Sequence, residues 1–255
     1  MAEANLPLAG KVVLVTGASR GIGAAIVERL AQKGAKPIIH YGRDQRRASA
    51  LLDRIGGEGW AVQADLAEPA GPTELWNRAV ELAGRVDALV NNAGIRTEIG
   101  IDSDLPSWHD AWQREFQVSF FAAADLCRMA IRHFREHGGG RIINMASRAG
   151  QRGYAADALP YGTTKAALLN LTKSVARSFG ADGVTAVAIA PGWVRTEMAE
   201  EFVARFGESA AVGDVPINAM AEPSEIAELV AFVLRPSQRS LNGSTLDVNG
   251  GSYIR

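Results

Sequence analysis

The chain has 255 residues, 47% of them hydrophobic and 22% charged, with 27 Lys and Arg against 28 Asp and Glu. Such a length buries a core without disulfides or structural metal, and a net charge of −1 excludes the basic footprint of a nucleic-acid binder. The single cysteine fits a reducing compartment, and the 27 glycines, which follow no three-residue period, exclude collagen.

In chain order, short β-branched runs alternate with stretches of helical periodicity. Val12–Val15 precedes Ile22–Lys33, Pro37–Ile39 precedes Asp44–Ile55, and Trp60–Val62 precedes Thr73–Leu82. Val86–Val90 leads to a long amphipathic stretch, Trp108–Arg135, and Arg141–Asn144 leads to Tyr161–Phe179. Val184–Ile189 is followed by Glu197–Phe206, then by a helix over Pro223–Leu234 and a last strand over Ser244–Val248. Strands bounded by Gly and Pro and alternating with helices imply βαβ units. The expected α/β fold is a single doubly wound domain over 1–255, its mainly parallel sheet of about seven strands flanked by helices on both faces. Met1–Gly10 carries Glu3 and no basic cluster, and Val12–Val15 is far short of the roughly 20 apolar residues of a membrane span. A soluble, cytoplasmic protein with no membrane partner is therefore expected.

Ligands of open parallel sheets bind at the carboxyl ends of the strands, so the strand-to-helix turns matter most. Thr16-Gly17-Ala18-Ser19-Arg20-Gly21-Ile22-Gly23 joins the first strand to the first helix. Glycines allow close backbone approach to a pyrophosphate, and the free N–H groups of the helix start meet the anion. The spacing is Gly-x-x-x-Gly-x-Gly, and a turn serving topology alone is the competing reading.

At this point the sequence resembles the short-chain dehydrogenase/reductase family, in its branch of about 250 residues, with a Rossmann-type fold. The resemblance runs through four motifs in order: the glycine turn, Asn91-Asn92-Ala93-Gly94, the Tyr-x-x-x-Lys motif Tyr161–Lys165, and Pro191-Gly192. It implies an NAD(P)-dependent oxidoreductase acting on a small-molecule carbonyl or secondary alcohol, closest in pattern to the 3-oxoacyl-carrier-protein reductase-like members. Cofactor-binding positions carried over from the family are Gly17, Ser19, Arg20, Gly21, Ile22 and Gly23 in the first turn, then Arg43 after the second strand. Asp65 and Leu66 follow the third strand, and Asn91, Ala93 and Gly94 the fourth. Tyr161 and Lys165, then Pro191, Gly192, Val194 and Thr196, complete the set.

The acidic residue that binds the ribose 2′-hydroxyl of NAD would fall at Tyr41, which cannot play that role, whereas Arg20 and Arg43 suit a 2′-phosphate. NADP(H) is therefore the expected cofactor, with NAD(H) the alternative if both arginines are merely solvated. Asp44 is expected to cap the next helix. Asp65 serves either the adenine edge or a helix N-cap, and Asn91 either the ribose segment or a tie between strands.

Tyr161 and Lys165, four apart on a helix, share a face. A neighbouring ammonium favours a phenolate, so Tyr161 is the expected acid/base, with Lys165 lowering its pKa and holding the ribose. Ser147 would orient the reacting oxygen. Tyr154 lacks a lysine four residues on and is set aside. Where many relatives carry Asn in a Trp-x-x-x-Phe-x-Val-Asn pattern, Trp112–Val118 is followed here by Ser119, read equally as a weaker proton-relay member or as a plain helix residue.

The four histidines form no metal-spaced group, and no metal is expected. Cys127 reads as a small core residue. The segment 197–221 matches the variable substrate lid of the family, with Met198, Phe202 and Phe206 as a possible apolar wall. Arg148, Arg152 and Arg195 could draw an anionic substrate. The resemblance implies a homotetramer or homodimer. Competing readings are an NAD-dependent sugar or polyol dehydrogenase, and a cofactor-binding sensor with little turnover.

Overall fold

The computed structural model describes residues 6–255, so Met1–Asn5 of the N-terminal segment read above lie outside the described residues. Seven parallel strands form one sheet in the order β3-β2-β1-β4-β5-β6-β7. They are β1 (Val12–Val15), β2 (Lys36–Tyr41), β3 (Trp60–Gln63), β4 (Ala88–Asn91), β5 (Gly140–Met145), β6 (Val184–Pro191) and β7 (Thr245–Val248). The order reverses between β1 and β4, where Val13 pairs with Pro37 on one side and Ala88 on the other. A crevice opens at such a reversal, beyond the carboxyl ends of the strands.

The helices are α1 (Gly21–Gln32), α2 (Gln45–Arg54), α3 (Gly71–Ala83), α4 (Leu105–Phe116) and α5 (Ala122–Glu136). After them come α6 (Ala149–Arg152), α7 (Leu159–Phe179), α8 (Glu197–Phe206), α9 (Glu208–Val212) and α10 (Pro223–Val233). Both faces of the sheet are buried, as the unbroken apolar strands require. Period-two alternation sends Val13, Val15 and Ile39 to one face with Ile26, Leu51 and Val230. Leu14, Ile38 and Leu89 go to the other, with Leu75, Leu126 and Phe134.

Departures from the sequence reading have local causes. The fourth strand starts two residues late, because the Val86 N–H is taken by His133 Nε2 at 3.1 Å. Asp44 accepts from the Arg47 N–H at 3.0 Å and caps α2, as expected. The long stretch Trp108–Arg135 is helical throughout, as expected, with a π-helical turn, Gln117–Phe121, between α4 and α5. The short helices α6 and α9 are too brief to leave a periodic signal. No helix among the described residues is long and apolar enough to cross a membrane.

Candidate active site

The glycine turn, the ends of β2 to β6 and helix α8 enclose an open cleft of about 1070 Å³. Its floor is the start of α1, whose N-cap Arg20 makes no side-chain cap hydrogen bond, unlike Asp44 on α2 and Asp104 on α4. The first N–H groups of α1 are thus left for an anion. Gly17 has φ +60°, and a Cβ there would come within 2.9 Å of Ala93 Cα. A Cβ on Gly23 would overlap the Gly17 carbonyl and lie 2.7 Å from Asn92 Nδ2. The turn is a backbone cradle that side chains would fill, which fits a dinucleotide pyrophosphate.

A residue that sequence reasoning passed over holds this cradle. His40, at the end of β2 and 3% exposed, accepts the Gly17 N–H at Nδ1 (3.0 Å), and its Nε2 lies 3.1 Å from the Ala64 carbonyl. Burial pushes its pKa down to about 4. The signal was a polar residue inside the buried run Pro37–Tyr41, one residue before the strand end.

Ser19, Arg20, Gly21 and Ile22 line the cleft, as do Arg43, Asp65, Leu66, Ala93 and Gly94. Pro191, Gly192, Val194 and Thr196 form its far wall. Two expectations are corrected. Asp65 caps no helix, because α3 starts only at Gly71; its carboxylate instead accepts the Ala67 N–H at 2.9 Å in a loop turn. Asn91 is not on the wall but is the tie between strands of its other reading: its amide donates to Asn144 Oδ1 of β5 at 2.9 Å, and Asn92 lines the cleft in its place. Tyr41 is buried among core residues, so no acidic group stands at that position.

The three candidate catalytic residues converge. Ser147 lies two residues after the end of β5, Tyr161 and Lys165 lie on the first turns of α7, and all three line the cleft. Ser147 Oγ accepts the Ala149 N–H at 3.1 Å, while Lys165 Nζ lies 5.7 Å from the Tyr161 ring centroid and donates to the Met145 carbonyl at 2.9 Å. The expected depression of the phenol is reversed in the protein alone: burial pushes Tyr161 up to about 12, against the opposing effect of Ser147. Burial also pulls Lys165 down to about 8, opposed by the charge of Glu115. Tyr154 stands on the wall after all, its ring 5.3 Å from that of Tyr161 and beneath the Arg96 guanidinium. The loop folds it back, a placement that linear spacing does not reveal. Ser119 is off the wall, buried in the π-helical turn behind Gly94.

The arginines expected to attract an anion are all paired. Arg148 and Arg152 both bond Asp214, and Arg195 bonds Glu208 and Glu222. The charges are spent holding the segment after β6 together. Met198 and Phe202 line the cleft, and Phe202 packs on Trp193 at 4.6 Å and on Phe206 at 4.8 Å; Phe206, 54% exposed, is not on the cleft wall. Cys127 is a core residue whose thiol burial pushes up to about 12. Among the described residues no group of three His, Cys, Asp or Glu is placed to hold a metal.

A parallel sheet reversed at β1/β4, with an uncapped glycine turn and a buried Ser147 and Lys165 beside a half-buried Tyr161 on one cleft, defines a nucleotide-dependent oxidoreductase. The family model for short chain dehydrogenase matches residues 11–205. A 3-oxoacyl-[acyl-carrier-protein] reductase of Vibrio cholerae is 36% identical over 97% of this chain and 99% of its own. A short-chain reductase protein of Streptomyces niveus is 38% identical over 94% and 93%. The crystal structure of a short chain dehydrogenase from Burkholderia cenocepacia in complex with NADP superposes with a TM-score of 0.87 at 36% identity, covering 96% of this chain and 99% of that one. The chain belongs to the short-chain dehydrogenase/reductase family and is an NAD(P)-dependent oxidoreductase.

Proposed function

We propose that this protein reduces a carbonyl group of a small molecule with NADPH, using Tyr161 as the acid, Ser147 to hold the reacting oxygen and Lys165 to hold the ribose. The observation that carries the reading is the convergence of Ser147, Tyr161 and Lys165 on the cleft that begins at the glycine turn. The nicotinamide, when bound, supplies the hydride. The side chains supply position and a proton. A phenol near 12 stays protonated at neutral pH, which suits donation to a carbonyl oxygen better than removal of an alcohol proton. Val194 and Thr196, on the cleft wall, would hold a carboxamide and a phosphate, and Gly21, Ile22 and Gly23, which also line the cleft, would offer backbone N–H groups to the pyrophosphate.

Support for NADP(H) over NAD(H) is electrostatic. Arg20, Arg43 and Arg47 line the same end of the cleft, and guanidinium forks grip a phosphate bidentately. The 3-oxoacyl reductase among the relatives favours a 3-oxoacyl thioester as substrate, beneath a lid formed by 197–221 in a single domain spanning 1–255. Assembly as a homotetramer through the α4–α5 and α7 faces fits the aromatic ladder Trp112, Phe116 and Phe121, of which Phe121 is 50% exposed. The one cysteine, free and buried, suits the cytoplasm.

The deciding experiment is an NADPH-oxidation screen against 3-oxoacyl thioesters, ketones, quinones and keto sugars, with the reverse alcohol screen alongside. Turnover on a 3-oxoacyl thioester is expected. Tight cofactor binding with no turnover in either screen would replace the reductase with a cofactor sensor.

A further inference from the structure

Glu115 is a carboxylate at 0% exposure on the inner face of α4, a position where an unpaired charge is strongly disfavoured. Its Oε1 accepts the Ser119 hydroxyl at 2.8 Å, and its Oε2 accepts the Thr97 N–H at 2.8 Å. Ser119 Oγ in turn accepts the Ile95 N–H at 3.1 Å. The π-helical turn makes this possible, since it carries Ser119 and packs against α7. Both oxygens of Glu115 therefore have neutral donors, and no cation touches it among the described residues. Just across Gly94 lies the other buried charge: a Cβ on Gly94 would be 3.2 Å from Lys165 Nζ and 3.5 Å from Ser119 Oγ.

We propose that Glu115 is a positioning residue for the reaction, a buried counter-charge, aimed by Ser119 and Thr97, that keeps the Lys165 ammonium protonated beside Tyr161. The proposal rests on the dehydrogenase reading of Tyr161 and Lys165, and adds to it a residue that contacts neither substrate nor cofactor.

The surroundings of the lysine leave Glu115 as its one anionic neighbour. Burial alone favours the neutral amine and has already brought Lys165 to about 8, with the Glu115 charge acting in the opposite sense. From β5 the lysine meets only the Met145 carbonyl, and on its own helix the Tyr161 phenol. Arg96 and Tyr154 act on Tyr161, not on the lysine. Arg152 of α6 is turned to Asp214, Asp157 to Arg96, Asp182 after α7 to Arg135, and Arg141 of β5 to Thr185. The π-helical turn presents Ser119, and β6 offers no ionisable side chain. Ser119 is thus neither an idle helix residue nor a relay member on the cleft wall; its hydroxyl fixes the rotamer of the carboxylate.

The test titrates Lys165 by 13C NMR in cofactor-free protein labelled at lysine, with Lys165→Met to assign the signal. Glu115→Gln, nearly isosteric, is expected to move the Lys165 midpoint down by one pH unit or more, and Glu115→Asp to restore most of that shift. The alkaline limb of kcat for carbonyl reduction should move with it, giving about a tenfold loss of kcat at pH 9 with little change at pH 6. In wild-type protein labelled at glutamate, the Glu115 carboxyl signal should step at the Lys165 midpoint, which keeps the test alive if Glu115→Gln does not fold. A Lys165 midpoint within 0.3 pH units of wild type in folded Glu115→Gln, or no step in wild type, overturns the proposal. Undiminished turnover of Lys165→Met would instead overturn the dehydrogenase reading, and the titration does not depend on turnover.

Discussion

His40 Nδ1 accepts the Gly17 N–H at 3.0 Å, tying β2 to the turn that starts the nucleotide site. An accepting Nδ1 requires a neutral ring with its proton on Nε2, where the Ala64 carbonyl receives it. The folded state holds His40 at about 4 against 6.5 for the free side chain, so between those values the unfolded chain binds more protons. Stability is complete above pH 6.5 and falls as pH drops toward 4, by about 3 kcal/mol at the limit. Denaturant midpoints at pH 7 and pH 5 should show this slope, and His40→Gln should flatten it. An unchanged slope in His40→Gln would assign the acid loss elsewhere.

Gly23→Ala tests the cradle without touching any side-chain chemistry. The new methyl meets the Gly17 carbonyl and Asn92 Nδ2, both fixed by their own hydrogen bonds. Relief of such crowding costs about 1–3 kcal/mol, and it must come from the turn itself. Nicotinamide cofactor affinity should fall about 10- to 100-fold in fluorescence titrations, while far-UV circular dichroism keeps the wild-type spectrum.

The alternation of strands and helices, the glycine turn and the pair Tyr161 and Lys165 were legible because each leaves a local trace: period, glycine spacing, or i,i+4 placement; Ser147 was found through the family resemblance, and the strand order only in the structure. Contacts between segments far apart in sequence left none. Asp65 was readable as a cap only because the distance to the next helix start is invisible until Pro72 and Gly71 set it. Arg148, Arg152 and Arg195 read as free cations because Asp214, Glu208 and Glu222 reach them from a segment with no strong pattern. Glu115 was hidden for a related reason. On a helical wheel it is one more charged residue beside Arg114, and only the π-helical turn and the loop after β4 show that it is buried.

Cofactor choice can be tested at the arginines of the cleft mouth. Glu197, at the start of α8, bonds Arg20 at 2.7 Å and Arg47 at 2.6 Å. Its carboxylate competes for the guanidinium groups that would receive a 2′-phosphate. Arg20→Ala should raise KM for NADPH about tenfold or more, the worth of one charge-assisted hydrogen bond, and leave KM for NADH within twofold. Glu197→Gln should lower KM for NADPH modestly, by no more than about fivefold, because exposed ion pairs are weak. Equal effects on both cofactors in steady-state kinetics would remove the 2′-phosphate from the argument.

Tyr161→Phe removes the proton and keeps the ring. Turnover should drop by about 10²- to 10⁴-fold, the usual share of general acid catalysis. Cofactor affinity should stay near wild type, because Lys165 and the glycine turn are untouched. Tyr154→Phe is the control: it shares the cleft wall and the Arg96 contact but lies beside no lysine, so its kcat should stay within about threefold. With the phenol near 12, carbonyl reduction should show no limb from Tyr161 below about pH 10.

Asp214 links the proposed lid to the wall of the site. Its carboxylate lies 3.2 Å from Arg148, a guanidinium only 5% exposed, and 2.7 Å from Arg152 on α6. The two arginines hold its carboxyl below the usual carboxylate range, against the opposing effect of burial. Burial lowers the pKa of Arg148 itself, which makes loss of its partner costly. Asp214→Ala leaves that guanidinium buried without an anion. It should reduce stability by about 1–3 kcal/mol and raise KM for the carbonyl substrate more than it lowers kcat. The Asp214 pKa is depressed, so the ion pairs stabilise the fold above the ordinary carboxylate pKa of about 4 and are lost below it. The gap between thermal melts of wild type and Asp214→Ala should therefore narrow progressively as pH falls below about 4, through the depressed Asp214 pKa. A gap that does not narrow at all below about pH 4 would show that the aspartate acts by packing, not by charge.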